Sequence, residues 1–112
     1  MKHTFHLAVK DITLPGLLYG LGDPARLRIA QNLYNAGKPL ICMEAVEGIE
    51  NLPVSTRSHC FQVLRSSGLI RSEKKGRECF NSLRVEEIEK KFPGVLSSIL
   101  SLKPGKRTKK TA

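Results

Sequence analysis

A run of polar and basic side chains beginning at residue 55 has chemistry suited to nucleic-acid contact. Its six members are Ser55, Thr56, Arg57, Ser58, His59 and Gln62. Hydroxyl groups bond to phosphates or base edges, Gln62 can pair with adenine, and Arg57 can bind guanine or a phosphate. The same residue types also cover the solvated face of ordinary helices, so the neighbouring elements must decide between the two interpretations.

Three cations lie close together near residue 75 and form a second candidate group. They are Lys74, Lys75 and Arg77, arranged around Gly76. Glycine permits the positive φ of a tight turn, and the flanking segments LIRSEK and RECFNSL alternate as strands do. The pattern predicts a β-hairpin with a basic tip, which would add salt-sensitive affinity for a phosphate backbone.

The elements that must position these groups can be predicted from hydrophobic spacing. A helix over 54–67 lets Val54, Phe61 and Leu64 face a core while the six polar residues stay outside. Before it, Cys42 and two further apolar residues at helical spacing predict a short helix from about 41 to 50, followed by a turn. A short helix, a tight turn and a polar second helix are typical of a helix-turn-helix.

The remaining chain predicts a helical domain around one hairpin. Helices are expected over 14–21, after Thr13, and from Pro24 to about 36, where Asp23 can cap free amides. Beyond the hairpin, two short helical pieces are separated at Pro93 and Gly94. The predicted fold class is α+β, mainly α with a small β-hairpin: a winged helix-turn-helix.

Length and charge narrow the class of partner. The 112 residues suit one domain over 1–102, followed by a basic, flexible tail over 103–112. The formal net charge is +9, and the tail contributes five cations and no acid, so the body is only moderately basic. Aromatic residues make up 5% with no Trp, which argues against a stacking platform for single strands and favours double-stranded DNA.

Residues 1–12 lack the features of a signal peptide, and no stretch approaches membrane-spanning length. We therefore expect a cytoplasmic protein, associated with the nucleoid through DNA and with no membrane partner. No nucleophilic triad, glycine-rich phosphate loop or metalloprotease motif is present, so we predict neither an enzyme nor a cofactor.

Three segments together resemble the ArsR-type (ArsR/SmtB) winged-helix repressors. They are LGDPARLRIAQNL at 21–33, STRSHCFQVLRSSGLI at 55–70 and the KKGRECFNSLR hairpin. The resemblance implies a homodimer joined through the first and last helices, reading an imperfect palindrome. Four of the family's recognition-helix positions match Ser55, Thr56, Ser58 and His59, and Gln62 takes a DNA-facing position. Arg57 departs from the aliphatic residue common there, and we expect it to contact DNA.

The resemblance also raises the question of a sensor site. Relatives carry a Cys-x-Cys pair in the third helix; here Cys42 matches the first position but Glu44 the second, so we expect a buried thiol. A metal set of His3, His6 and Cys42 ranks well below this interpretation. The last helix contains no histidine for the family's zinc site and no cysteine for its redox pair.

Cys60 lies in the predicted recognition helix, where an exposed thiol near cations would be reactive, although packing is its simplest role. Together with Cys42 and Cys79 it makes an odd set with no CxxC spacing, so we expect no disulfide.

The leading hypothesis is a homodimeric, sequence-specific repressor with an unidentified inducer, if it has one. The alternatives are a non-specific nucleic-acid-associated protein that binds through its basic tail, and a thiol- or metal-responsive sensor-repressor that uses Cys42 or Cys60.

Overall fold

The computed structural model describes residues 6–102, and its first two helices begin at side-chain caps. After a 3-10 turn at Val9–Asp11, α1 spans Leu14–Leu21 and α2 spans Pro24–Ala36. Thr13 Oγ1 accepts a hydrogen bond from the amide of Gly16 at 3.0 Å, and Asp23 accepts from the first two free amides of α2. Both predicted helices are confirmed. They could be predicted because their start signals are local in the sequence.

The predicted third helix over 41–50 is mostly wrong. Residues Leu40–Ile41 form a short strand, β1, and the helix that follows, α3, covers only Cys42–Ala45. Glu44 turns back to accept the amide of Ile41 at 3.1 Å, and Gly48 adopts a φ of 98° that ends any helical continuation. Strand pairing elsewhere in the fold therefore overrides the helical spacing of the apolar residues here.

The second half of the domain follows the prediction closely. Helix α4 spans Val54–Ser66, strands β2 and β3 span Ile70–Lys75 and Glu78–Leu83, and helices α5 and α6 span Val85–Lys91 and Val95–Leu100. We call the β2–β3 hairpin the wing. The sheet has three antiparallel strands in the order β1-β3-β2, one more than predicted. The winged helix-turn-helix class is confirmed.

One hydrophobic core joins these elements. Its fully covered side chains come from the segment before α1 and from the helices and wing: Ile12, Leu17, Ile29, Leu64, Leu69, Ile70, Ile88, Leu96 and Leu100. Gly68, with a φ of 91°, lets the chain leave α4 directly against Ile12, where a Cβ would stand 2.7 Å from that side chain. Within residues 6–102, no helix is both long and apolar enough to cross a membrane.

Candidate nucleic-acid interface

Helix α4 is anchored by one face and presents the other to solvent. Cys60, Phe61 and Leu64 are buried, as sequence spacing predicts for the latter two. Val54 does not join them: its side chain is 68% exposed, because the helix begins there, at the edge of the domain. The outward face carries the predicted polar run, of which Ser55, Thr56, Ser58, His59 and Gln62 are all exposed.

Arg57 takes an intermediate position on α4. It is half-buried, whereas the other five residues of the polar run are exposed. Its Nε is shielded from solvent and has no hydrogen-bond partner within residues 6–102. A buried, unpaired guanidinium nitrogen costs free energy, so the side chain gains if it finds an anionic acceptor.

The amino terminus of α4 leaves its first amides open to an external acceptor. Pro53 occupies the cap position and supplies no side-chain hydrogen bond, in contrast to the capped starts of α1 and α2. Free amides and the helix dipole at such an end favour an anion such as a phosphate.

The tip of the wing is a compact, exposed group of cations. Lys74, Lys75 and Arg77 all lie in solvent around Gly76, whose φ of 63° makes the turn as predicted. Lys75 Nζ lies 5.9 Å from the centre of the Phe80 ring, which orients the cation without neutralising it.

The helix-turn-helix is held in place from α2. The side-chain amide of Asn32 donates to the carbonyl oxygens of Ala45 and Glu47, both at 2.9 Å, and so fixes the turn between α3 and α4. Arg26 donates to the carbonyls of Tyr19 and Gly20 and closes the end of α1 against α2. These contacts make the position of α4 a property of the whole domain.

The low-ranked metal set gains no support from the described residues. His3 lies outside them. His6 is engaged, since its Nε2 accepts the amide of Ser72 on β2 at 2.9 Å; burial and the charges of Arg71 and Arg84 lower its pKa. No group of three potential metal ligands is present within residues 6–102.

Two cysteines, Cys42 and Cys60, were expected to be buried packing residues, and one of the two is not buried. Cys42 is exposed, not buried, because it starts α3 and does not belong to a longer amphipathic helix. Cys60 is 4% exposed and packs in the core, which confirms the packing interpretation. Burial, followed by the negative charge of Asp23, raises the pKa of its thiol, which disfavours a reactive thiolate at this position on α4.

Sequence reasoning missed a group of polar side chains on the sheet and beside it, which we call the sheet cluster. Ser72 and Asn81 are its buried members, His6 and Cys79 are half-buried, and Cys42 is exposed. The Ser72 hydroxyl donates to Asn81 Oδ1 at 2.7 Å, and Asn81 Nδ2 donates to the carbonyl of Leu40 at 3.2 Å. The sequence signal that could have revealed this cluster is the apolar pair Leu40–Ile41 after Pro39. Identified as a strand, the pair would have placed Cys42 next to the sheet.

Comparison with known proteins identifies the class to which this arrangement belongs. A protein of Bacillus subtilis (strain 168), the uncharacterized HTH-type transcriptional regulator YceK, is 37% identical over 79 residues, which cover 70% of this chain and 78% of YceK. No family model matches the chain. Two solved structures share the fold. The first is a crystal structure of an ArsR family transcriptional regulator, with a TM-score of 0.57 at 21% identity; the match covers 75% of this chain and 81% of that regulator.

The second is the transcriptional repressor BigR from Xylella fastidiosa, with a TM-score of 0.54 at 23% identity over 70% of this chain and 85% of BigR. The chain belongs to the HTH-type transcriptional regulators, and it shares its fold with the ArsR family structure. It is thus a DNA-binding regulator and not an enzyme.

Proposed function

We propose that this protein is a homodimeric repressor of the ArsR type, which reads a palindromic operator with α4 and contacts the DNA backbone with the wing. One observation carries the assignment of contacts. None of the nine predicted contact side chains, six on α4 and three at the wing tip, makes a hydrogen bond or ion pair with other residues in the range 6–102. Apart from the shielded Nε of Arg57, their polar groups are therefore available to a ligand.

The two groups suit different parts of a DNA duplex. Gln62 and Arg57 carry paired donors and acceptors or a fork of donors, which distinguish base edges in the major groove. Lys74 and Lys75 are point charges and add affinity through phosphates, independent of sequence. Base preference should therefore reside in α4, and salt dependence largely in the wing.

A dimer fits the apolar surface that α1 leaves uncovered. Leu14, Leu18 and Tyr19 are 38%, 49% and 66% exposed along this short helix, which is a concentration of apolar area that a second subunit would cover. Two α4 helices about 34–36 Å apart would then meet successive major grooves. Occupation of a promoter palindrome would block polymerase and keep the protein with the nucleoid.

The wing gives the sharpest test of this proposal. Replacing Lys74, Lys75 and Arg77 together by Ala removes three phosphate contacts, so the slope of log affinity against log salt should fall by about 2.7, at about 0.9 per contact. The operator comes from selection out of random duplexes, and affinity is measured by fluorescence anisotropy. The matched control removes the same charge at Lys10, Lys38 and Lys90 and should leave the slope nearly unchanged.

An equal loss in both triple variants would contradict a specific role for the wing. Deletion of 103–112 tests the remaining alternative, non-specific binding through the tail. A repressor of the proposed kind keeps its preferred sequence after the deletion, at lower affinity. Loss of all binding on deletion would instead show that the tail is the principal nucleic-acid contact.

A further inference from the structure

Two cysteines face each other where β1 meets β3. The antiparallel register pairs Leu40 with Asn81 and Ile41 with Phe80; Cys42, the first residue of α3, follows Ile41 directly, and Cys79 precedes Phe80 on β3. If the ladder continued for one more residue, Cys42 would stand opposite Cys79 with the two Cα atoms about 4.5–5.5 Å apart. That separation lies within the range of about 4.4–6.8 Å that a disulfide spans. Both thiols are unbridged in the structure.

The two side chains also point to the same side of the sheet. Asn81 Nδ2 lies 3.5 Å from Cys42 Sγ, so the Cys42 thiol reaches the face that Asn81 occupies. Cys79 is two residues before Asn81 on β3 and therefore shares that face. Consistent with this, burial and then the neighbouring Cys42 thiol raise the pKa of Cys79.

The two thiols differ in their access to solvent, and this difference sets the order in which an oxidant would meet them. Cys42 is exposed, Cys79 is half-buried beside it, and Cys60 is enclosed in the core. An oxidant in solution would meet Cys42 first and find Cys79 already in place to react with the product. A thiol pair with one accessible and one resolving member is the arrangement found in redox-sensitive proteins.

We propose that Cys42 and Cys79 form a redox-active dithiol that hydrogen peroxide converts into an intramolecular disulfide. The Cys42 thiolate attacks one peroxide oxygen, the O–O bond breaks, and the departing hydroxide takes a proton to leave as water. The Cys79 thiolate then attacks the resulting sulfenic sulfur; the S–S bond forms, the S–O bond breaks and a second water leaves. The two sulfurs lose two electrons in total, and the peroxide gains them.

The disulfide would fasten the first turn of α3 to the central strand of the sheet, and thus to the wing. It would close the loop between residues 42 and 79 and restrict the unfolded chain. The oxidised protein should therefore unfold at a higher urea concentration, and a thiol reductant should reverse the shift. This chemistry belongs to the sheet itself and does not depend on the proposed repressor function.

Peptide mapping tests the pairing directly, because trypsin separates all three cysteines. Cys42 falls within 29–57, Cys60 within 58–65 and Cys79 within 78–84. After peroxide treatment of the reduced full chain, mass spectrometry under non-reducing conditions should show 29–57 linked to 78–84 in protein that migrates without an intersubunit cross-link. Linkage through 58–65, a cross-linked dimer, or independent oxidation of the two thiols with no linkage would overturn the proposal.

Single substitutions separate the two roles. In Cys79→Ser the disulfide cannot form, and Cys42 should stop at the sulfenic acid, which dimedone captures. In Cys42→Ser the oxidation of Cys79 should slow about tenfold or more, since that thiol is half-buried and burial raises its pKa. Cys60→Ala is the matched control and should leave the linkage unchanged. Equal oxidation rates at Cys79 with and without Cys42 would contradict the assigned order.

Discussion

Charged and polar side chains have opposite roles in two regions of the molecule. Around α5 they bind other parts of the fold, whereas on α4 and the wing tip they have no internal partner among the described residues. Around α5, Glu87 binds Arg84 at 2.7 Å and Arg71 at 3.2 Å, and Glu89 accepts three backbone amides at the start of α6. Lys91 donates to three carbonyls before α1. On α4 and the wing tip, none of the nine predicted contact side chains has such a partner in the described part of the chain.

The difference shows that the number of charges does not identify a binding surface. Helix α5 contains three acids and two bases, which is a denser charge pattern than α4 has, yet several of those groups hold the fold together. The exposed groups on α4 and the wing contribute little to stability because water satisfies them in the free protein; the shielded Nε of Arg57 is the exception. Substitutions in the two regions should therefore separate cleanly into effects on stability and effects on DNA binding.

The largest expected effect is on stability, from Glu87→Ala. Arg84 has a side chain only 3% exposed, and one of its terminal nitrogens already has no partner within residues 6–102. Loss of Glu87 leaves the buried guanidinium without its carboxylate; because Glu87 itself is 38% exposed and partly screened by water, the cost in the free energy of unfolding is about 2 kcal/mol. Urea denaturation measures it, and Glu86→Ala, at an exposed neighbour, is the control. A loss of under about 0.5 kcal/mol would show that water compensates Arg84.

Gln62→Ala should show the reverse behaviour. Its exposed amide makes no internal hydrogen bond with the described residues, so the urea midpoint should stay unchanged. Operator affinity should fall by about 1–2 kcal/mol, with relaxed preference at one base pair of each half-site. Titration of the operator and of single-base variants measures this. A uniform loss across all sequences would place Gln62 on the backbone and remove it from base readout.

A smaller, pH-dependent effect is expected at Glu89. The amide of Gly94, at 2.7 Å, is the main cause that lowers the pKa of this carboxyl below its usual value, and the amides of Leu96 and Ser97 add to it. A lowered folded-state pKa contributes stability above the unfolded value, and this is lost as the pH falls through the folded value. Glu89→Gln should therefore be less stable than the parent at pH 7, with a gap that narrows below about pH 4. A gap of constant size would contradict a charge-dependent cap.

Local signals account for the parts of the fold that sequence reasoning predicted. Thr13 and Asp23 are caps whose partners lie within three residues, and Gly76 forces its own turn. The polar run on α4 was likewise identified from residue types alone, because its side chains do not depend on the rest of the fold. The assignment of Arg57 to DNA contact stays a prediction.

The failures lie where distant residues decide the structure. Leu40 and Ile41 form a strand only because Asn81 and Phe80 are there to pair with them, some forty residues along the chain. The same pairing brings Cys42 out of the expected apolar stripe and beside Cys79. Spacing within a short window contains no information on such partners, so the third strand and the sheet cluster were invisible to it.

The bonds of Lys91 have a consequence for biosynthesis. Its ammonium group donates to the carbonyls of Val9, Lys10 and Ile12, at 3.0, 3.0 and 2.7 Å. The ribosome makes those carbonyls first and Lys91 about eighty residues later. The segment that leads into α1 therefore reaches its final contacts only when translation of the domain is nearly complete. In a nascent chain stalled before α5, the carbonyl of Ile12 would lack its hydrogen bond from Lys91.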